Sequence, residues 1–151
     1  MKVVFALLLG AVLISCGQTY SDSDKSDFDT EISRFMVRKN LKMNKLKSGL
    51  YVEYLQEGTG DDVAGFTSVV SLKYKGTLLN GNVVDQTQPD KPLVLQVNQL
   101  IAGFQEALLG QKKGAKMKLI IPPHLGYGDK DLDKIPPNSI LYFEIEVLDL
   151  R

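Results

Sequence analysis

The hydrophobic and polar positions divide the chain into a segment with helical period and a longer one with the period of strands. Phe28, Ile32, Phe35 and Met36 recur at the spacing of one helix face, with Arg34, Arg38, Lys39, Lys42, Lys45 and Lys47 around and beyond them. This predicts an amphipathic helix over roughly 27–45. Its apolar stripe requires a cover, either the chain's own domain or a dimer or partner contact. Ser48-Gly49 breaks the pattern, and Leu50 to Leu55 reads as a first strand, followed by the turn cluster Glu57-Gly58-Thr59-Gly60-Asp61. Ser68 to Leu79 is rich in β formers, with Val70, Leu72 and Tyr74 alternating, and Asn80-Gly81 marks a hairpin because both residues tolerate positive φ.

Val83 to Asp85 returns from that hairpin, a polar loop spans Gln86 to Lys91, and Leu93 to Val97 forms another strand. Asn98 is placed to cap a short helix that Gly110 ends. Lys116 to Ile121 alternates until Pro122-Pro123, which cannot donate to a sheet ladder. In the last strand Leu141, Phe143, Ile145 and Val147 face one way, while Tyr142, Glu144 and Glu146 face the other. The expected class is α+β: an antiparallel β-sheet wrapped around one short α-helix and preceded by an N-terminal amphipathic helix.

The amino-terminal end changes the picture of where this domain works. Met1-Lys2 followed by Val3 to Ile14 has the proportions of a secretory signal, and the run is shorter than the roughly 20 apolar residues of a membrane span. It ends in Leu13-Ile14-Ser15-Cys16-Gly17, which resembles a bacterial lipobox, so Cys16 is the expected lipidation site and the membrane an expected partner. Cys16 is the only cysteine, which leaves no internal disulfide; the plain alternative, a buried thiol, fits its position less well. Acyl chains would supply about 0.8 kcal/mol of anchoring per buried methylene. Residues 17–27 lack an apolar period and read as a solvated tether, in which Asp22, Asp24 and Asp27 serve either as spacer or as an export signal. The expected organisation is therefore a signal segment over 1–15, a lipid-anchored tether over 16–26, a helical arm over 27–48 with a possible homodimer contact, and a domain over 49–151.

Charge excludes one class of partner. The 151 residues carry 18 basic and 18 acidic groups; without Lys2 the balance is 17 against 18, a net of −1. Such a chain has no long-range attraction for nucleic acid. Metal and nucleophile chemistry fare no better, since His124 is the only histidine and sits in a loop behind Pro123. One Cys and one His do not make a zinc site, and the paired glycines do not follow phosphate-loop patterns. No metal and no cofactor are expected, and what remains is an aromatic and aliphatic set.

That set has an order. Ala102-Gly103-Phe104-Gln105-Glu106-Ala107-Leu108 and Gly110 are followed by the strand ending at Pro122-Pro123, then by Gly126-Tyr127-Gly128 and Ile135-Pro136-Pro137. In this order and spacing the chain resembles the FKBP-type peptidyl-prolyl cis-trans isomerases from about Gly49 to Leu150. The resemblance implies proline-containing polypeptide substrates and a role as a folding helper for exported proteins. An isomerase needs no nucleophile. The amide before proline is planar, with a rotation barrier of roughly 18–20 kcal/mol, and the twisted transition state loses resonance and polarity. An apolar pocket then favours the twisted form over the planar one.

The resemblance also implies the site residues. Phe104 stands at the floor of the proline pocket, where the family usually has tryptophan; Tyr74 matches a wall tyrosine and Asp85 the family's aspartate. Leu100 and Ile101 match the helix-start pair whose isoleucine amide meets the substrate carbonyl. Tyr127 matches a hydroxyl donor, and Phe143 closes the pocket. Leu93, Leu95 and Ile135 line it, and Val84 stands where phenylalanine is usual, so the aromatic lining shrinks at two positions. The remaining alternative is a weakly active or inactive module that grips proline-containing segments in a membrane-associated assembly.

Overall fold

The computed structural model describes residues 19–151. The expected signal segment, Cys16 and the start of the expected tether lie outside the described residues. Helix α1 spans Asp22–Lys39. It begins five residues earlier than the apolar stripe suggests because Ser21 and Asp24 form a capping box: Asp24 N–H donates to Ser21 Oγ at 3.1 Å and Ser21 N–H to Asp24 Oδ2 at 2.8 Å. Residues expected in a solvated tether, 22–26, are therefore helical. The helix also stops earlier than expected. Asn40 adopts left-handed backbone at φ 52°, its N–H closing on the last-turn carbonyls, and the chain reverses. Lys45, expected in the helix, lies instead in β1 (Asn44–Lys45), paired antiparallel with β2 (Tyr51–Gln56).

Five further strands complete one antiparallel sheet: β3 (Val69–Leu78), β4 (Val83–Gln86), β5 (Leu93–Gln96), β6 (Lys116–Ile121) and β7 (Leu141–Leu150). The strand order is β1-β2-β6-β7-β3-β4, with β5 also on β3. Gly81 takes φ 94° in the β3–β4 hairpin, whereas Asn80 keeps negative φ, so only the glycine of the Asn-Gly pair uses left-handed backbone. The expected short helix is α2 (Ala102–Leu108). Asn98 does not cap it; it lies inside a 3₁₀ turn over Val97–Gln99, and the N-cap position of α2 is Ile101, which provides no side-chain cap. Gln105 Nε2 donates to the Leu100 carbonyl at 2.7 Å, which ties that turn to the helix.

The front face of the sheet packs on α2. Gly103, Phe104, Ala107 and Leu108 are buried there, and a Cβ at Gly103 would stand 2.8 Å from Ile121 Cγ2, so only glycine lets the helix sit this close to β6. The back face is divided. Toward solvent it is a lattice of opposite charges in register, Lys118 beside Glu144 and Lys116 beside Glu146, with Glu144 and Glu146 also opposite Lys75 and Lys73 on β3. At its other end α1 covers it: Ile32 and Phe35 are buried against Tyr51, Ile120 and Ile140. Burying each of the two contributes about 1.5–3 kcal/mol. Ile120 is consequently buried on the face that its strand's alternation assigns to solvent. The apolar stripe of the arm is thus used on the chain's own domain, and a homodimer would have to use other residues of α1, such as the exposed Val37.

Candidate functional site

The front-face cluster gathers the expected apolar site residues. Tyr74, Val84, Leu100, Phe104, Ile135 and Phe143 are buried in it, with Leu93, Leu95, Ile101 and Tyr127 half-buried against it. At its centre three rings meet edge to face. Phe104 and Phe143 lie 4.8 Å apart at 85°, and Tyr74 lies 6.2 Å from Phe104 and 6.1 Å from Phe143. In such edge-to-face pairs an electropositive ring edge meets an electronegative ring face. The elements that deliver them are α2, β7 and β3.

Asp85 joins this nest through a bulge. Gly76 pairs with Asp85 and Thr77 with Val83, which leaves Val84 as the extra residue of β4. Val84 and Asp85 can therefore both turn inward, against the alternation of a regular strand. The Tyr74 hydroxyl donates to Asp85 Oδ2 at 2.6 Å, and Gln86 N–H donates to Asp85 Oδ1 at 2.8 Å, so both carboxylate oxygens are engaged. Burial, then the bond to Asp85 and its charge, pushes the Tyr74 phenol far above the ordinary tyrosine range. Burial and the Asp85 charge push Tyr127 in the same direction. Both phenols keep their protons at neutral pH, which is the state in which they donate.

Tyr127 sits between Gly126 and Gly128, after a 3₁₀ turn over Pro123–Leu125. The loop beyond it folds back through a reciprocal pair of bonds between Leu132 and Ile135, at 3.0 and 3.1 Å, and this buries Ile135. A recess of about 190 Å³ is lined by Tyr74, Asp85, Gln86, Thr87, Gln88, Lys91, Pro92 and Leu93. Larger hollows, of about 390 and 430 Å³, lie over the charged back face among Lys75, Lys118 and Glu144. Neither is lined by Phe104, Phe143 or Tyr127, and lysines and glutamates make up much of both, so size alone does not mark the site. His124 is structural: its Nε2 lies 2.8 Å from the Ser48 carbonyl oxygen, far from the nest in role.

The site also contains residues that the sequence pattern did not single out. Thr87 caps the edge of β4, its hydroxyl accepting from Tyr74 N–H at 3.1 Å. Leu125 and Leu132 pack on the cluster from the loop. Gly76 makes room for the Phe143 ring. A small polar residue two positions after Asp85 and a glycine two positions after Tyr74 are visible in the sequence, but each is ordinary in or beside a strand.

The family model described as FKBP-type peptidyl-prolyl cis-trans isomerase matches residues 61–148, which hold the whole ring nest. The chain belongs to this family. The FKBP-type peptidyl-prolyl cis-trans isomerase FkpA of Buchnera aphidicola subsp. Schizaphis graminum is 42% identical over 110 residues, which are 72% of this chain and 44% of that protein. FkpA of Escherichia coli K12 is 34% identical over 142 residues, 91% of this chain and 52% of its own. The crystal structure of FkpA from Escherichia coli matches with a TM-score of 0.73 at 32% identity, over 85% of this chain and 62% of that one. A peptidyl-prolyl cis-trans isomerase from Pseudomonas syringae pv. tomato matches with a TM-score of 0.68 at 28% identity, over 87% and 98%. The chain spans about half the length of the curated relatives it matches. Helix α1 lies outside the residues matched to the family, whereas every candidate pocket residue lies inside them.

Proposed function

We propose that this chain is a peptidyl-prolyl cis-trans isomerase that assists the folding of exported proteins at the bacterial cell envelope, held to a membrane through a lipid on Cys16. The observation that carries the catalytic reading is the edge-to-face nest of Tyr74, Phe104 and Phe143, with the Tyr74–Asp85 hydrogen bond at its rim. A proline ring placed against the nest leaves water, and so does the amide before it. The planar amide loses more solvation there than the twisted one, so the barrier falls without any bond being made to the protein. Tyr127 supplies a protonated hydroxyl, and Ile101, in extended backbone at the start of α2, supplies a main-chain amide for the substrate carbonyls.

The test is exchange of a short proline peptide, read by protease-coupled cleavage with the purified chain. Acceleration that disappears when Phe104 and Tyr127 are both replaced supports the reading; a rate equal to the uncatalysed one removes it. One observation favours a second reading, a binding module with little turnover: Phe104 is 0% and Phe143 1% exposed, so the lining offers a substrate little open ring surface. Binding of proline peptides without acceleration would select that reading.

The envelope reading rests on the apolar run before Cys16. Cys16→Ala is expected to move the protein from the membrane fraction to the soluble one or to block its processing. A variant that stays membrane-bound and normally processed would exclude the lipid anchor.

A further inference from the structure

The loop that carries Tyr127 and Ile135 is closed at its base by a single backbone contact between its two ends. Asn138 N–H donates to the Gly128 carbonyl at 2.8 Å. Both residues lie in left-handed backbone, Asn138 at φ 60° and Gly128 at φ 63°. Onto this closure comes a residue from the far end of the chain. Tyr20, directly before the Ser21 cap of α1, donates its hydroxyl to Asn138 Oδ1 at 2.6 Å. A Cβ on Gly128 would stand 3.8 Å from the same hydroxyl.

The Tyr20 ring is itself held. It is 8% exposed, edge-on to Phe28 at 5.4 Å, and tilted against His124 at 6.3 Å. His124 bonds the Ser48 carbonyl and lies in the 3₁₀ turn that leads into Gly126. Tyr20 therefore touches both roots of the loop, the turn before Tyr127 through His124 and the return through Asn138. Burial, followed by the charges of Asp129 and Asp24, raises the Tyr20 phenol above its ordinary range, so its hydroxyl remains a donor at neutral pH.

We propose that Tyr20 is a positioning residue for the isomerase site: by clamping both roots of the loop over 126–138 it holds Tyr127 and Ile135 as pocket walls, and so couples the segment leading into α1 to substrate binding. The proposal rests on the reading of Tyr127 and Ile135 as walls of that pocket. Tyr20 lies outside residues 61–148, so the clamp reaches the site from beyond the matched domain. A wall that is ordered only part of the time lowers apparent affinity by the fraction of time it is ordered. That loss falls equally on the ground and transition states, which raises KM and leaves kcat unchanged.

The experiment uses the full chain. Tyr20→Phe keeps the ring between Phe28 and His124 and removes the hydroxyl. Asn138→Gly keeps the left-handed backbone and removes the acceptor, while Asn138→Asp keeps an acceptor oxygen. Amide hydrogen exchange over 126–138 and steady-state isomerisation of a proline peptide are measured for each. The expected result is a KM raised roughly two- to tenfold in Tyr20→Phe and Asn138→Gly, with kcat unchanged and faster exchange at Tyr127 and Ile135. Asn138→Asp should restore both readouts. Loop exchange and KM that stay unchanged in Tyr20→Phe would overturn the clamp. Faster exchange with unchanged kinetics would also overturn it, and a kinetically silent Tyr127→Phe would then place the error in the pocket reading rather than in the Tyr20 contact.

Discussion

Gly76→Ala probes the ring nest with a single methyl group. An ideal Cβ at Gly76 would lie 2.2 Å from Phe143 Cε1 and 2.8 Å from Cδ1 and Cζ. Carbon atoms pack at about 3.5–4.0 Å, so the ring must retreat by more than about 1 Å. It has nowhere easy to go: Phe143 is 1% exposed and is held edge-on by Phe104 at 4.8 Å and by Tyr74 at 6.1 Å. Overpacking of this kind costs about 1–3 kcal/mol. Against it stands a gain, because Gly76 lies outside the left-handed region and alanine there restricts the unfolded chain, worth about 0.4–1 kcal/mol. The net expectation is destabilisation of roughly 1–2 kcal/mol, a fall in Tm of about 2–8 °C. Urea and thermal denaturation measure it, and peptide isomerisation should fall in step because the displaced ring is one wall of the nest. Phe143→Leu shortens the clashing side chain, so the double variant should lose less than the two single losses added, by about 0.5–3 kcal/mol. A Gly76→Ala protein as stable as the parent, or more stable, would refute the packing argument, since the entropy gain alone would then be acting.

Tyr127→Phe should lower turnover by several-fold while changing stability by no more than about 0.5–1.5 kcal/mol, as measured by paired kinetics and denaturation. Ile32→Ala, far from the pocket and 0% exposed, should cost about 2–5 kcal/mol in denaturant titrations; a smaller loss would mean that α1 rests on the sheet rather than completing its core. Alkali should unfold the protein through its tyrosines. Tyr51 is pushed from 10.0 up to about 12 by burial, the bond to Asp29 and its charge, and Tyr74, Tyr127 and Tyr142 are raised in the same direction, with burial leading in each. A folded pKa above the unfolded one gives stability that is whole below pH 10 and lost as the pH climbs through 12. Tyrosinate absorbance and loss of circular dichroism should therefore rise together; complete ionisation of a still-folded protein would contradict this.

Much of the fold follows from patterns that act over a few residues. Alternation in β3 and β7 is local, and it places Tyr74, Phe143, Ile145 and Val147 on one face whatever the rest of the chain does. The Asn80-Gly81 turn and the stop at Pro122-Pro123 are equally local, since they depend on backbone angles and missing donors. The order of motifs from Ala102 to Pro137 likewise carries the resemblance to the family without any tertiary contact. Helix α1 was harder to bound. Its first turn is polar, so only the Ser21–Asp24 box starts it, and its end depends on Asn40 turning left-handed so that Lys45 can reach β2. Three decisions belong to the tertiary structure alone. Ile120 and Tyr51 are covered because α1 folds back onto the rear of the sheet, which no alternation rule encodes. Val84 and Asp85 both turn inward because a bulge breaks the register against Gly76 and Thr77. Tyr20, a lone aromatic in a polar stretch, finds Asn138 across 118 positions of sequence. Period and turn chemistry report what each segment buries; only the closed sheet decides which distant segment it is buried against.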